Sequence, residues 1–336
     1  MMKEKQLSLP FIYQLAIGLI LFIIAFSAAM VFGAADATVK DAWLALTSNT
    51  ANDTVTLLRE IRLPRELAAI FVGAALGVAG AMMQGMTRNP LADPGLLGLT
   101  AGANAALAIA IVFLPSANYL AIMLACMAGA AGGAALVLGL GSMKKGSLSP
   151  FRIVLAGAVV SAFLQAVSEG IGLYFHISKD VSMWTAGGLI GTSWEQLQII
   201  APFIAGGLFA ALLLSRQLTI LSLSEEAAAG LGQKTMQIKV MLFCLVVLLA
   251  GASVALVGNM TFIGLMVPHI VRAVTGSDYR FIIPMSALVG ASFMLFADML
   301  GRTINAPYET PVAAIVAIMG LPFFLLIVRK GGRTFS

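Results

Sequence analysis

The sequence predicts an all-α integral membrane protein of about ten transmembrane helices, and three observations carry that prediction. Apolar residues (Ala, Val, Ile, Leu, Met, Phe, Trp, Tyr, Cys) make up 60% of the 336 residues and charged ones only 10%, whereas soluble domains carry about 25% charged residues. The apolar residues arrive in long runs separated by turn and charge signals, the pattern of successive spanning segments. At ~20 residues per span, about ten spans fill the chain as a single domain, 1–336, and leave no room for a sizeable soluble one.

The first run, 11–33, follows Lys3 and Lys5 as a signal peptide would, but its apolar stretch is about twice as long as a signal core, which argues for a retained helix. The second, 66–86, starts just behind Pro64, a residue suited to a first helical turn. Further runs follow at 95–114, 118–141, 152–175, 197–214, 237–257, 262–275, 282–301 and 308–328. The run at 262–275 is short for a crossing, and Pro and Gly interrupt both it and 95–114, as in broken or partly buried helices. Small residues four apart, such as Gly73/Gly77 and Gly129/Gly133, predict close helix packing in lipid.

The net charge of +5 comes from basic residues scattered singly between apolar runs, which excludes a nucleic-acid-binding stripe. With the N-terminus in the cytoplasm, 14 Lys and Arg fall inside and 6 outside. The positive-inside rule therefore predicts that both termini are cytoplasmic. Cys126 and Cys244 lie within apolar runs and the only histidines are His176 and His269. That set offers neither a disulfide framework nor a site for a bare transition metal, and no cofactor is expected.

Several segments break the apolar pattern. Arg62 and Arg65, in Ile-Arg-Leu-Pro-Arg-Glu, share a helical face at the predicted outer start of the second span, with Arg302 on the same side of the membrane. Cations at a helix N-terminus oppose its dipole. Two readings follow: snorkelling to lipid phosphates, or an exposed docking point for partner carboxylates. The inner segment Gln84–Gly98 holds two prolines and three glycines and reads either as a constrained turn or as a pore-lining gate. In 222–232, Ser224 caps a short cytoplasmic helix with Glu225 and Glu226 in its first turn and a glycine stop. Glu169 and His176 lie toward the outer end of the fifth span, and Asp298 stands one turn from Arg302. Intramembrane acids raise a functional reading, and an (i, i+4) pair is the structural alternative for Asp298 and Arg302.

Taken together, Arg-Leu-Pro-Arg at 62–65, Gly80–Gln84 leading into Arg88-Asn89-Pro90-Leu91-Ala92-Asp93-Pro94, Leu155-Ala156-Gly157, Ser222–Ala228, Gly264-Leu265-Met266-Val267-Pro268-His269-Ile270, Ala297-Asp298, Glu309-Thr310-Pro311 and Gly320–Phe324 resemble the permease subunits of type II ABC importers, which serve ferric siderophores, vitamin B12 and haem. The resemblance covers nearly the whole chain from about residue 60. It implies the type II importer permease fold, in a bacterial cell membrane. It also implies a second permease subunit, identical or homologous, two cytoplasmic ATPase subunits that bind the ATP, and an extracellular substrate-binding protein. By that resemblance Arg62, Arg65 and Arg302 pair with glutamates of the binding protein. Ser224, Glu225, Glu226, Ala227, Ala228, Gly230, Leu231 and Gly232 form the coupling helix that fits the ATPase groove. Asn89, Pro90 and Leu91, with Ser147, Ser149 and Pro150, form the inner gate, and the fifth helix, which carries Glu169, lines the path. Two positions depart from the family pattern: Ser224 stands where Gly is frequent, and Ala313 where Gly is usual. The expected function is a non-enzymatic permease for a ferric siderophore. The alternatives are a vitamin B12 or haem permease and, from another class, a proton-coupled transporter using Glu169 and Asp298.

Overall fold

The computed structural model describes residues 9–33, 37–48, 52–142, 150–179, 181, 188–306 and 308–331. These residues form helices and connections, with no strand among them. In chain order the helices are α1 (Phe11–Val31), α2 (Val39–Thr47), α3 (Asp53–Leu57), α4 (Leu63–Thr87), α5 (Leu99–Phe113), α6 (Tyr119–Ser142), α7 (Pro150–Tyr174), α8 (Trp194–Leu213), α9 (Ser215–Leu223), α10 (Glu225–Gly230), α11 (Thr235–Val257), α12 (Ile263–Thr275), α13 (Tyr279–Thr303) and α14 (Val312–Gly331).

Each expected run is occupied by a helix, but not every helix has spanning length. Among the described residues seven helices are long and apolar enough to cross a membrane: α1, the run Asp53–Thr87, α6, α7, α8, α11 and α13. Apolar helices of 10–17 residues occupy Leu99–Phe113, Ile263–Thr275 and Val312–Leu326. The first two are short because irregular backbone precedes them. Gly95–Leu97 is a 3₁₀ turn before Gly98 at φ 74°, and Phe262, at φ 69°, leads into α12.

The second span departs from expectation at its start. Pro64 does not open a helix but lies inside a continuous helical run of 35 residues, Asp53–Thr87. Proline removes one backbone donor and crowds the carbonyl four residues back. The chain absorbs this with a π turn over Leu58–Arg62, closed by the Leu63 N–H donating to Leu58 O.

Most of α4 is buried, and α13, α11, α12 and α8 pack around it. Glycine makes the closest of these crossings possible. A methyl group on Gly73 would overlap the carbonyl of Gly290 in α13, and one on Gly80 would overlap the backbone of Gly264 in α12. Lipid tails offer no hydrophobic incentive for helices to associate, so backbone approach and dense van der Waals contact hold them together. A separate small core of Met30, Ala42, Ala45, Val55 and Leu58 lies beneath α2 and α3. These two helices are additions to the expected spans. The sequence signal for α2 is the Thr38–Asp41 capping box, with Asp41 N–H donating to Thr38 Oγ1 (3.2 Å) and Thr38 N–H to Asp41 Oδ2 (2.9 Å); α3 is capped by Asn52.

Candidate functional site

At one end of the bundle the basic and acidic residues of three elements meet. Arg65 donates to both oxygens of Asp298 through Nε (3.0 and 3.1 Å) and again to Oδ1 through Nη2 (2.9 Å), while its Nη1 reaches both oxygens of Glu309 at 2.9 Å. Arg302 Nε stands 2.9 Å from Asp298 Oδ2, and Arg302 Nη2 donates to Glu66 and to Ala29 O. Arg62 Nη1 donates to Met30 O (2.6 Å) and Val31 O (3.1 Å). The last turn of α1 thus points its otherwise unpaired carbonyls at two guanidinium groups, the charge its dipole favours.

This geometry corrects the exposed-arginine expectation. Arg62, Arg65 and Arg302 retain 5%, 7% and 4% of their accessible surface, so in this chain their side chains are buried and not exposed. They do not lie at a helix N-terminus either, because the helix begins at Asp53. The compensation comes from within, through Glu66, Asp298 and Glu309. The expected pair Asp298–Arg302 is present as one edge of this larger cluster.

At the opposite end of α4, Arg88 takes the left-handed conformation (φ 53°) and stops the helix, its N–H donating to Gln84 O. Asn89 Oδ1 then accepts from Leu91 N–H (3.0 Å), and Asp93 Oδ1 from Gly95 N–H (2.7 Å), so side chains set the path of this proline-rich turn. Leu91 is partly buried and Asp93 buried. Just before the turn, buried Gln84 donates through Nε2 to Gly264 O (3.4 Å) and Leu265 O (3.2 Å). Gly264 O is the carbonyl that Pro268, four residues on, leaves without its helical donor. Gln84 and Pro268 therefore belong to one arrangement, in which a side-chain amide replaces a missing backbone N–H.

The short helix α10 adjoins this turn. Ser224 Oγ accepts from Ala227 N–H (2.9 Å), and a hydrogen bond from the Glu226 backbone, with one from the Ser224 side chain, holds the Glu226 carboxyl below its ordinary range. Ala228 is buried, whereas Leu231 is 70% exposed and Gly232 closes the helix at φ 78°. Glu225 reaches Lys239 at 2.6 Å on α11 and Arg88 at 3.4 Å on the α4 turn, joining three elements. Ser147 and Ser149 lie outside the described residues, and Pro150 opens α7.

Between these ends lies a cavity of about 890 Å³ bounded by α5, α7, the segment before α12, and α14. Gly157, Ser161, Gln165, Ser168 and Gly172 present one face of α7 to it, at the three- and four-residue spacing of a helical stripe. Thr100 and Asn104 of α5 and Asn259 and Thr261 face the same space, as do Asp93 and Glu169. Glu169 accepts from Gln165 Nε2 at 3.1 Å. The cavity volume falls in the ~300–1,000 Å³ range of ligand pockets. Among the described residues no group of three or more His, Cys, Asp or Glu side chains is placed to hold a metal ion.

Residues 20–330 match the FecCD transport family. This chain belongs to that family. It is 42% identical over 302 residues to the iron(3+)-hydroxamate import system permease protein FhuB of Bacillus subtilis, covering 90% of this chain and 79% of that protein. To the Fe(3+)-citrate import system permease protein YfmD of the same organism it is 40% identical, with 94% of each chain covered. Among solved structures, an inward-facing metal-chelate type ABC transporter superposes with a TM-score of 0.80 at 26% identity, covering 96% of this chain and all of that one. The chain is accordingly a multi-pass membrane permease subunit of the FecCD family, with the all-α fold of ABC importer permeases.

The fold joins Arg62, Arg65 and Arg302 in one cluster, and sets Arg88 and the Asn89–Leu91 turn beside Glu225. Glu169 stands apart from both, on the cavity. Sequence reasoning assigned no role to Glu66 or Glu309, although both sit in segments it singled out. It also passed over Asn104, Ser161 and Ser168, single polar residues in apolar runs, and Asn259 between two runs, whose common destination only the fold supplies.

Proposed function

We propose that the chain is the membrane-spanning subunit of an ATP-driven importer that carries a ferric siderophore into the bacterial cytoplasm, with the cavity beside α7 as its share of the path. The observation that carries this reading is that cavity: about 890 Å³, its largely apolar wall interrupted by neutral hydrogen-bonding side chains on α5, α7 and the segment before α12, suited to a chelate that must enter and leave without coordinating the protein. The three shorter apolar helices complete ten spans, because half-length helices are tolerated where their irregular ends line a cavity or pack against protein. Both termini face the cytoplasm by the distribution of Lys and Arg. ATP is hydrolysed by separate subunits, which grip α10, and a second permease subunit faces α7. The extracellular binding protein lands on the arginine end. There, a partner carboxylate gains Arg65 by displacing Glu309, the acid of the cluster whose side chain is 31% exposed. Asn89, Pro90, Leu91, Ser147, Ser149 and Pro150 close the inner side.

The test is uptake of radiolabelled ferric siderophore by proteoliposomes holding the permease, its ATPase and its binding protein. Transport should require ATP and should fall to background in Ala228→Pro, because proline costs ~3 kcal/mol inside a helix and Ala228 is the buried face of α10. Uptake driven by a proton gradient without the ATPase would overturn the reading in favour of a secondary transporter.

A further inference from the structure

Four polar atoms on the cavity wall have no hydrogen-bond partner and are closed to solvent: Asn104 Oδ1, Asn259 Oδ1, Ser161 Oγ and Ser168 Oγ. Asn104 is 8% exposed and Ser168 3%. Buried polar groups are nearly always satisfied, and leaving one unpaired is costly. Four of them, on residues that line one space, point to an occupant that supplies hydrogen-bond donors and acceptors. The serine hydroxyls can donate to carbonyl oxygens, and the asparagine oxygens can accept from amide N–H groups.

Charge narrows the class of occupant. Among the described residues, those lining the cavity include two acids, Asp93 and Glu169, and no lysine, arginine or histidine. Glu169 is exposed and accepts from the neutral Gln165, and no cation stands with it among the described residues of the cavity wall. An anionic occupant would give up its water beside like charge with no cation to receive it, a juxtaposition that is strongly unfavourable.

We infer that this cavity selects neutral or cationic ferric chelates of the trihydroxamate type and rejects the highly anionic catecholate type. The inference rests on the transport reading above and adds the charge class of the cargo. Three singly charged hydroxamates neutralise ferric iron, and the secondary amides that link them in such siderophores offer N–H and C=O groups to the four unpaired atoms. Three doubly charged catecholates leave a large negative surplus.

The cavity's selectivity is read without transport by placing a thiol in it. In a Cys244→Ser background, with Cys126 buried, Ala158→Cys puts the thiol on the cavity wall. The permease in nanodiscs is then treated with a cationic trimethylammonium or an anionic sulfonate methanethiosulfonate. Relative to a free thiol, the cationic reagent should react about tenfold faster or more, as expected for a unit charge within several ångströms of a carboxylate. Adding Glu169→Gln should shrink the ratio and Glu169→Lys should invert it. Ferric desferrioxamine B should protect the thiol, and ferric enterobactin at the same concentration should not. Equal or faster anionic labelling, protection by the catecholate alone, or no labelling by either reagent would overturn the inference. Uptake by the complete system separates the two readings. Preference for ferric enterobactin sinks the charge class and leaves the transport reading intact, whereas a correct labelling ratio with no chelate transported sinks the transport reading alone.

Discussion

Gln84 illustrates how much a single amide can do in this fold. Its two carbonyl acceptors lie at the start of α12, which would otherwise hold an unpaired backbone oxygen in an apolar setting. Gln84→Leu should destabilise the purified protein by about 1–3 kcal/mol, the cost of an unmet buried hydrogen bond, read as a lowered midpoint of thermal unfolding in detergent. Asp298 carries more, since Arg65 and Arg302 both depend on it. Asp298→Asn keeps the shape but strands positive charge in a buried cluster, and should cost about 3–5 kcal/mol; a loss below 1 kcal/mol would mean that Glu66 and Glu309 suffice. At the α9–α13 corner, hydrogen bonds from Arg280 and Thr219 hold the Asp278 carboxyl below its ordinary 3.8. A depressed carboxylate stabilises the fold above its unfolded value and loses that contribution as pH falls through its folded one. Wild type should therefore lose its advantage over Asp278→Asn only on the acidic side of 3.8, and an unchanged stability difference across that range would contradict this. The sequence made the Asp298–Arg302 pair legible because it is local. The bonds from Arg65 to Asp298 and Glu309, 233 and 244 residues away, follow no spacing rule and needed the fold.

At the level of elements, α4 is specified by what it lacks. Gly73 and Gly80 permit backbone contact with α13 and α12, so Gly73→Val or Gly80→Val should prevent native packing and yield protein lost to aggregation on size-exclusion chromatography. Gly206→Ala on α8 is the control, because a methyl there meets nothing within 4 Å, and it should elute as wild type does. Hydropathy located the long helices within a few residues, and the cap at Ser224 located α10, because both signals are carried by neighbours in sequence. Two things were misplaced for physical reasons. Pro64 was read as a helix start, since a π turn that accommodates proline leaves no mark in local sequence, and α2 and α3 are too short to register as apolar runs.

For the whole molecule, the cavity was the part least legible in advance. Its wall is assembled from α5, α7, the segment before α12, and α14; the first three contribute polar residues that look isolated in sequence, and α14 contributes Leu321 and Phe324. Glu225 similarly connects α10 to the α4 turn and to α11. Its partners are partly exposed, so Glu225→Ala should shift stability by less than about 1 kcal/mol. If those bridges carry motion from the ATPase to the turn, the same variant should hydrolyse ATP at a near-normal rate while uptake drops several-fold; a parallel fall in both would place Glu225 in assembly instead.

The charge cluster also has a consequence in time. A ribosome delivers Arg62, Arg65 and Glu66 to the membrane long before Asp298, Arg302 and Glu309 exist, and chains are made from the N-terminus onward. Until α13 arrives, the early helices hold more positive than negative charge at that site, and α4 lacks the partner that its glycines are shaped to meet. The nascent protein is therefore held open until about its last sixth is synthesised, and then closes across its full length. A chain truncated before α13 should be a target for membrane proteolysis, and supplying α13 and α14 as a separate polypeptide should rescue it.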